Sequence, residues 1–163
     1  MTHTHTHTQK QKHTIETRTV AAGADHAGFE YKRKIVELLR SMGIEVIDFG
    51  TSSADSTDYP DYAHAVAGAV SSGKAQLGVL VCGSGIGMSI VANKHAGVRA
   101  SNVESVEAAR MAREHNDANV LAIGARLTPW DRAKEILLAF LSAEFQGGRH
   151  QKRVDKIHDL TNL

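Results

Sequence analysis

The chain has 163 residues, 42% of them hydrophobic, which suits one globular domain around a single core. Its formal charge of +1, from 19 Lys and Arg against 18 Asp and Glu, gives no bulk attraction for nucleic acid or an anionic membrane, so any anion site must be local. One cysteine excludes an intramolecular disulfide, and no apolar run is long enough for a signal sequence or a membrane span, which points to a reducing, cytoplasmic setting.

Residues 1–14 alternate His and Thr before Gln9-Lys10-Gln11-Lys12 and hold four of the ten histidines but no core-forming run, which predicts a disordered, solvated extension. Beyond it, short apolar runs alternate with segments of helical period. Thr19 to Gly23 reads as a first strand, followed by a helix with Ile35, Leu38, Leu39 and Met42 on one face and Gly43 as its stop. A second strand, Ile44 to Phe49, leads through a Ser/Thr/Asp-rich loop to a helix with Ala63, Val66, Ala69 and Val70 inward, ending near Ser72-Gly73. Leu77 to Val81 is apolar without alternation, as in a central parallel strand covered on both faces, and Cys82 stands at its carboxyl end. A short helix through Ile90, a strand near Val98-Arg99-Ala100, a helix from Ser105 to about His115, a strand Val120 to Ile123 and a helix from Trp130 to Leu141 complete five repeats. The alternation predicts an α/β fold: a Rossmann-like three-layer sandwich with a five-stranded parallel sheet over residues 15–144. Residues 145–163 open on Gly147-Gly148 and carry Arg149, His150, Lys152 and Arg153, a basic C-terminal arm of the same domain whose plain reading is a solvated helix.

In open α/β sheets ligands bind beyond the carboxyl ends of the strands, and three connecting loops stand out for that chemistry. The first strand runs into Ala24-Asp25-His26-Ala27-Gly28, a carboxylate beside an imidazole. The third runs into Cys82-Gly83-Ser84-Gly85-Ile86-Gly87, and the loop before the fifth strand carries His115-Asn116-Asp117. The glycines allow backbone to approach a ligand, and amides at the start of the next helix suit an anion or a developing enediolate. The spacing is neither a Walker loop nor a dinucleotide fingerprint. At this position a thiolate can act as base or as nucleophile, and a hydrolase would need His26 or His115 within reach of Cys82. Each feature also has a structural reading: Cys82 as a small buried hydrophobe, the glycine loop as a tight connection, Asp25 as a helix cap, His115-Asn116 as a helix end. Beyond the His/Thr stretch, where His3 and His7 alone have that spacing, neither His-x-x-x-His, nor paired cysteines, nor a dense carboxylate cluster is present, so neither a metal nor another cofactor is expected.

Taken in order, Asp25-His26, Asp58-Tyr59-Pro60-Asp61-Tyr62-Ala63, Cys82 to Gly87, Asn93-Lys94, His115 to Val120 and Gly147 to Val154 closely resemble the ribose-5-phosphate isomerase B family, over about Thr19 to Leu160. The resemblance implies metal-free interconversion of ribose 5-phosphate and ribulose 5-phosphate through a cis-enediolate in the pentose phosphate pathway. It implies a homodimer with active sites shared between subunits, or a tetramer built from it. By this resemblance Cys82 moves the proton between carbons 1 and 2, with Ser84 beside it and the amides of Gly83, Ser84, Gly85, Ile86 and Gly87 on the enediolate oxygen. His115, with Asp25 nearby, opens the sugar ring, and Asn116 and Tyr59 orient hydroxyls. His26, Arg126, Arg149, His150 and Arg153 hold the phosphate. A large branch of the family lacks the cysteine and has a glutamate where this chain has Met88, so the chain resembles the cysteine-using branch. Galactose-6-phosphate isomerase, the nearest relative with another substrate, divides these motifs between two kinds of subunit, whereas here they coexist. A phosphosugar-binding regulator and a cysteine hydrolase or transferase are the competing functions.

Overall fold

The computed structural model describes residues 18–163, so the His/Thr stretch at 1–14 lies outside the described residues. Among the described residues there are five strands: β1 (Thr19–Ala24), β2 (Glu45–Asp48), β3 (Leu77–Cys82), β4 (Ala100–Asn102) and β5 (Val120–Gly124). They alternate with helices α1 (Phe29–Ser41), α2 (Tyr59–Ser71), α3 (Ile86–Ala92), α4 (Val106–Asn116) and α5 (Trp130–Ser142), and α6 (Arg149–Asp159) follows. All strands are parallel, in the order β2-β1-β3-β5-β4. The expected α/β sandwich is therefore the fold.

Every residue of β3 is buried, as an unalternating apolar strand at the sheet centre should be. Side chains still alternate between faces with period two. Val79 and Val81 meet Ile35 and Leu39 of α1 and Ile136 and Phe140 of α5 in one core. Leu80 and Cys82 turn to the other, with Val66 of α2 and Met88 and Ala92 of α3. Val66 is completely buried, contributing about 2 kcal/mol by burial alone. Its two methyl groups sit where a side chain at Gly23 or Gly78 would need to be, 2.8 Å from each projected Cβ. Side-chain-free positions on β1 and β3 thus let α2 settle onto the sheet, which brings Tyr59, at the first turn of α2, over the carboxyl ends of the strands.

The chain leaves β1 toward β2 and returns to β3 on the other side of β1, so the carboxyl ends of β1 and β3 flank the point where strand order reverses. The β1–α1 turn is pressed against β3 there: a Cβ on Gly28 would meet the Val81 carbonyl oxygen and lie 2.6 Å from its carbonyl carbon. Main chain cannot swing aside as a side chain can. Gly28→Ala is therefore expected to lower unfolding free energy by about 3 kcal/mol in urea titration. A loss below about 1 kcal/mol would mean that the turn can back away from β3.

Two expectations need correction. Strand β4 begins at Ala100, not Val98, because the Arg99 N–H donates to the Asn119 side-chain oxygen (2.7 Å) and regular pairing starts only at Ala100 opposite Val120. The C-terminal arm is a helix, but it is not simply solvated: His150 and Val154 form a buried stripe along it.

Candidate active site

Cys82 is the last residue of β3, and period-two alternation turns its thiol toward α2 and α3. The chain then reverses through Gly83-Ser84-Gly85 into α3. Gly85 takes a left-handed conformation (φ 79°), and a Cβ there would stand 2.9 Å from the Ile123 carbonyl carbon, so glycine fits the position on both counts. This turn aims the Gly85 N–H at Cys82 Sγ (3.1 Å) and the Ile86 N–H at Ser84 Oγ (3.2 Å). Cys82 is 5% exposed and opens into a cavity of about 350 Å³. Asp25, Tyr59, Gly83, Ser84, Gly87, Arg126 and Leu127 also line it. Met88 is fully buried in the cluster that contains Cys82.

Each wall has a local cause. Asp25 follows β1 and is buried, its N–H donating to the Val81 carbonyl (3.3 Å) and its Oδ1 accepting from Gly28 N–H (3.1 Å). It is thus a cap, as the structural reading had it, and also a carboxylate at the cavity. Tyr59 lies against Gly87, whose projected Cβ would be 2.7 Å from the phenol ring. The Arg126 N–H donates to the Gly83 carbonyl (3.0 Å), and its guanidinium passes over Gly83, 3.3 Å from where a Cβ would be. A cation and a carboxylate thus share one cavity with the thiol.

His26 is next to Asp25 without lining this cavity. Its N–H donates to Thr57 Oγ1 (3.2 Å) and its Nδ1 accepts from the Thr57 N–H (3.1 Å), so a neutral ring carries its proton on Nε2. Thr57 and Leu127 were missed from sequence. Thr57 meets His26 across 31 positions, a pairing with no local signal.

The His115-Asn116 loop lies elsewhere, which corrects the grouping of three loops at one edge. β5 pairs with β3 from Gly78 opposite Val120 to Cys82 opposite Gly124, so the segment before Val120 sits at the amino-terminal edge of the sheet. Four residue steps of strand separate that edge from Cys82, about 13 Å. The start of α6 is at the same edge: the Gln146 N–H donates to the Glu114 carbonyl (3.0 Å), and His150 stacks on His115 with ring centroids 4.6 Å apart and planes 18° from parallel. Burial, with the neighbouring His115, Arg149 and Arg153, holds the His150 imidazole below the ordinary histidine range. The sequence-derived site residues therefore fall into two groups, Asp25, His26, Tyr59, Cys82 to Gly87 and Arg126 at one edge, and His115, Asn116, Arg149, His150 and Arg153 on α4 and α6.

A roomier cavity of about 590 Å³ lies beside α1, but most of its charges are paired: Lys32 donates to both Asp48 oxygens (2.9 and 3.0 Å) and the Thr51 carbonyl (2.7 Å), Arg33 pairs with Glu30 and Glu37, and Arg40 donates to the Val46 carbonyl (3.5 Å). Among the described residues no three His, Cys, Asp or Glu side chains gather as for a metal ion, and no helix is long and apolar enough to cross a membrane.

Comparison with known proteins agrees with this architecture. The family model described as Ribose/Galactose Isomerase matches residues 20–157. Ribose-5-phosphate isomerase B of Escherichia coli is 49% identical over 140 residues, 86% of this chain and 94% of that protein. D-erythrulose-4-phosphate isomerase of Pectobacterium atrosepticum is 43% identical over 140 residues, 85% of this chain and 92% of that protein. The solved structure of Clostridium thermocellum ribose-5-phosphate isomerase B superposes with a TM-score of 0.87 at 49% identity, covering 88% of this chain and 97% of its own. The chain belongs to the ribose/galactose isomerase family, among the ribose-5-phosphate isomerases of type B.

Proposed function

We propose that the chain interconverts ribose 5-phosphate and ribulose 5-phosphate through a cis-enediolate, with Cys82 as the base. One observation carries this reading: a thiol at the switch point of a parallel sheet, in one cavity with Asp25, Tyr59 and Arg126, in a chain of this family. In the aldose-to-ketose direction Cys82 Sγ takes the proton from carbon 2. The C–H electrons form the carbon 1–carbon 2 double bond, and the carbonyl pair moves onto oxygen 1. A proton then passes from oxygen 2 to oxygen 1, beside the Ser84 hydroxyl and the Asp25 carboxylate. Cys82 returns its proton to carbon 1 while oxygen 2 becomes the ketone. Amide donors of the Gly83–Gly87 turn stabilise the anion. The Gly85 and Ile86 amides, which bond Sγ and Ser84 Oγ in the free site, are donors for which a substrate oxygen competes.

Ring opening and most of the phosphate charge are assigned to His115, Asn116, Arg149, His150 and Arg153. Their separation from Cys82 within one chain supports a homodimer in which each subunit completes the other's site. The face that such a partner would cover is apolar: Ile86 and Ile90, one helical turn apart on α3, are each more than half exposed. His26 and Arg126 meet the phosphate from the Cys82 side.

Turnover of ribose 5-phosphate in deuterated water tests the reaction. Solvent deuterium is expected in the sugar at the carbons between which the proton moves. Binding without exchange would favour a phosphosugar-sensing protein, and a covalent adduct trapped on Cys82 would favour a hydrolase or transferase.

A further inference from the structure

We infer that Arg99 is a positioning residue for ring opening, because its guanidinium bolts the corner that carries His115 and Asn116 to the far end of the basic helix α6. This rests on the assignment of ring opening to His115. The corner is set by Asp117, which ends α4 in a left-handed conformation (φ 48°, ψ 42°) that side-chain-bearing residues seldom adopt. Two arginines hold it there. Arg113 Nη1 meets Asp117 Oδ1 at 3.3 Å and Arg99 Nη2 meets Oδ2 at 3.3 Å, while Arg99 Nε donates to the Asp117 carbonyl at 2.8 Å.

The two clamps differ in what else they grip. Arg113 is buried inside the domain against Phe140 and donates to the Ala118 carbonyl, so it ties the corner to its own helix and the core. Arg99 reaches outward. Its Nη1 lies 2.9 Å from His158 Nε2, and since a guanidinium has only donors, His158 accepts there and carries its proton on Nδ1. Nη1 also donates to the Gly97 carbonyl (3.3 Å), and the Gly97 N–H donates to a main-chain oxygen of Leu163 (2.6 Å).

Helix α6 therefore touches the corner twice, at its start through the His150–His115 stack and near its end through His158–Arg99–Asp117. Two contacts fix both the place and the tilt of a helix, where one would leave it free to pivot. The Gln146–Glu114 bond and the buried Val154 seat the start and middle of α6, and the Arg99 contact adds the hold at its far end. With the Arg99 bolt, the imidazole and the basic side chains are held as one preorganised surface.

The test uses full-length enzyme and two aldose phosphates. Ribose 5-phosphate closes a furanose ring, whereas erythrose 4-phosphate has no free hydroxyl with which to close one and needs only the proton transfer. For Arg99→Leu, kcat on ribose 5-phosphate is expected to fall about 30-fold, with kcat on erythrose 4-phosphate changed less than about threefold. Arg99→Lys, which keeps charge but not the fork, should recover only part of the loss. His158→Phe, which keeps a ring but removes the acceptor without touching Asp117, should show the same substrate bias with a smaller, roughly fivefold, fall. Equal losses on both substrates in Arg99→Leu and none in His158→Phe would reduce Arg99 to general support of the fold and overturn the inference. Parallel assay of His115→Ala separates the two levels. No substrate bias in that variant sinks the ring-opening assignment itself, while bias there and none in the Arg99 and His158 variants sinks only the bolt.

Discussion

Cys82→Ala is expected to lower kcat on ribose 5-phosphate by about a thousandfold, the scale of losing the group that takes and returns the proton. The substitution also removes the acceptor of the Gly85 N–H, and an orphaned buried amide costs about 1–3 kcal/mol, so a fall in activity could be charged to a loosened turn. Cys82→Ser removes that ambiguity. Its hydroxyl can accept from the same amide, the turn should keep its conformation, and the urea midpoint should stay near that of the parent, yet a hydroxyl is too weakly acidic to serve as the thiolate does. Both variants should be inactive on ribose 5-phosphate and on erythrose 4-phosphate alike, because proton transfer is common to the two. Both should still bind a phosphorylated sugar acid, since none of the side chains proposed to hold the phosphate is altered. Turnover near the parent's in Cys82→Ala would remove Cys82 from the mechanism, and Asp25 would become the base to examine.

The course of β3 into the Cys82 loop was legible in the sequence because each step has a short-range cause: an apolar run with no alternation, then glycines where main chain must turn or pass close. The pairing of Asp25 with Cys82 followed from topology, since a parallel sheet puts consecutive strand ends at one edge. The same rule, applied to direction, would have sent His115 to the opposite edge: a loop that precedes a parallel strand must lie at its amino end. Motif content, not chain direction, had grouped it with the other two loops. Strand β4 was misplaced because Ala100-Ser101-Asn102 has no apolar pattern and its start is set by the Asn119 side chain from another segment. The buried stripe of α6 was hidden for a similar reason. Its sequence is dominated by charge, and His150 is buried by stacking on a residue 35 positions away.

That placement of His115 makes the strongest test of how the site is assembled. His115→Ala is expected to lower kcat on ribose 5-phosphate about a hundredfold while erythrose 4-phosphate turnover stays within a few-fold of the parent's, because the ring-opening acid–base is idle on a sugar that has no ring. By itself this does not say which subunit's imidazole acts in the proposed homodimer. Co-expressing Cys82→Ala and His115→Ala chains with different affinity tags, and isolating the heterodimer, does. If each site takes Cys82 from one subunit and His115 from the other, one site of the heterodimer carries both lesions and the other carries neither, so two inactive chains should give about half the parental turnover per dimer. If both residues came from one subunit, every site would carry one lesion, and the heterodimer would remain as slow as its parents. Four residue steps of strand separate the Gly78–Val120 and Cys82–Gly124 pairs, more than an imidazole can reach across, so recovery is the outcome the geometry requires of a His115 that acts on sugar bound at Cys82.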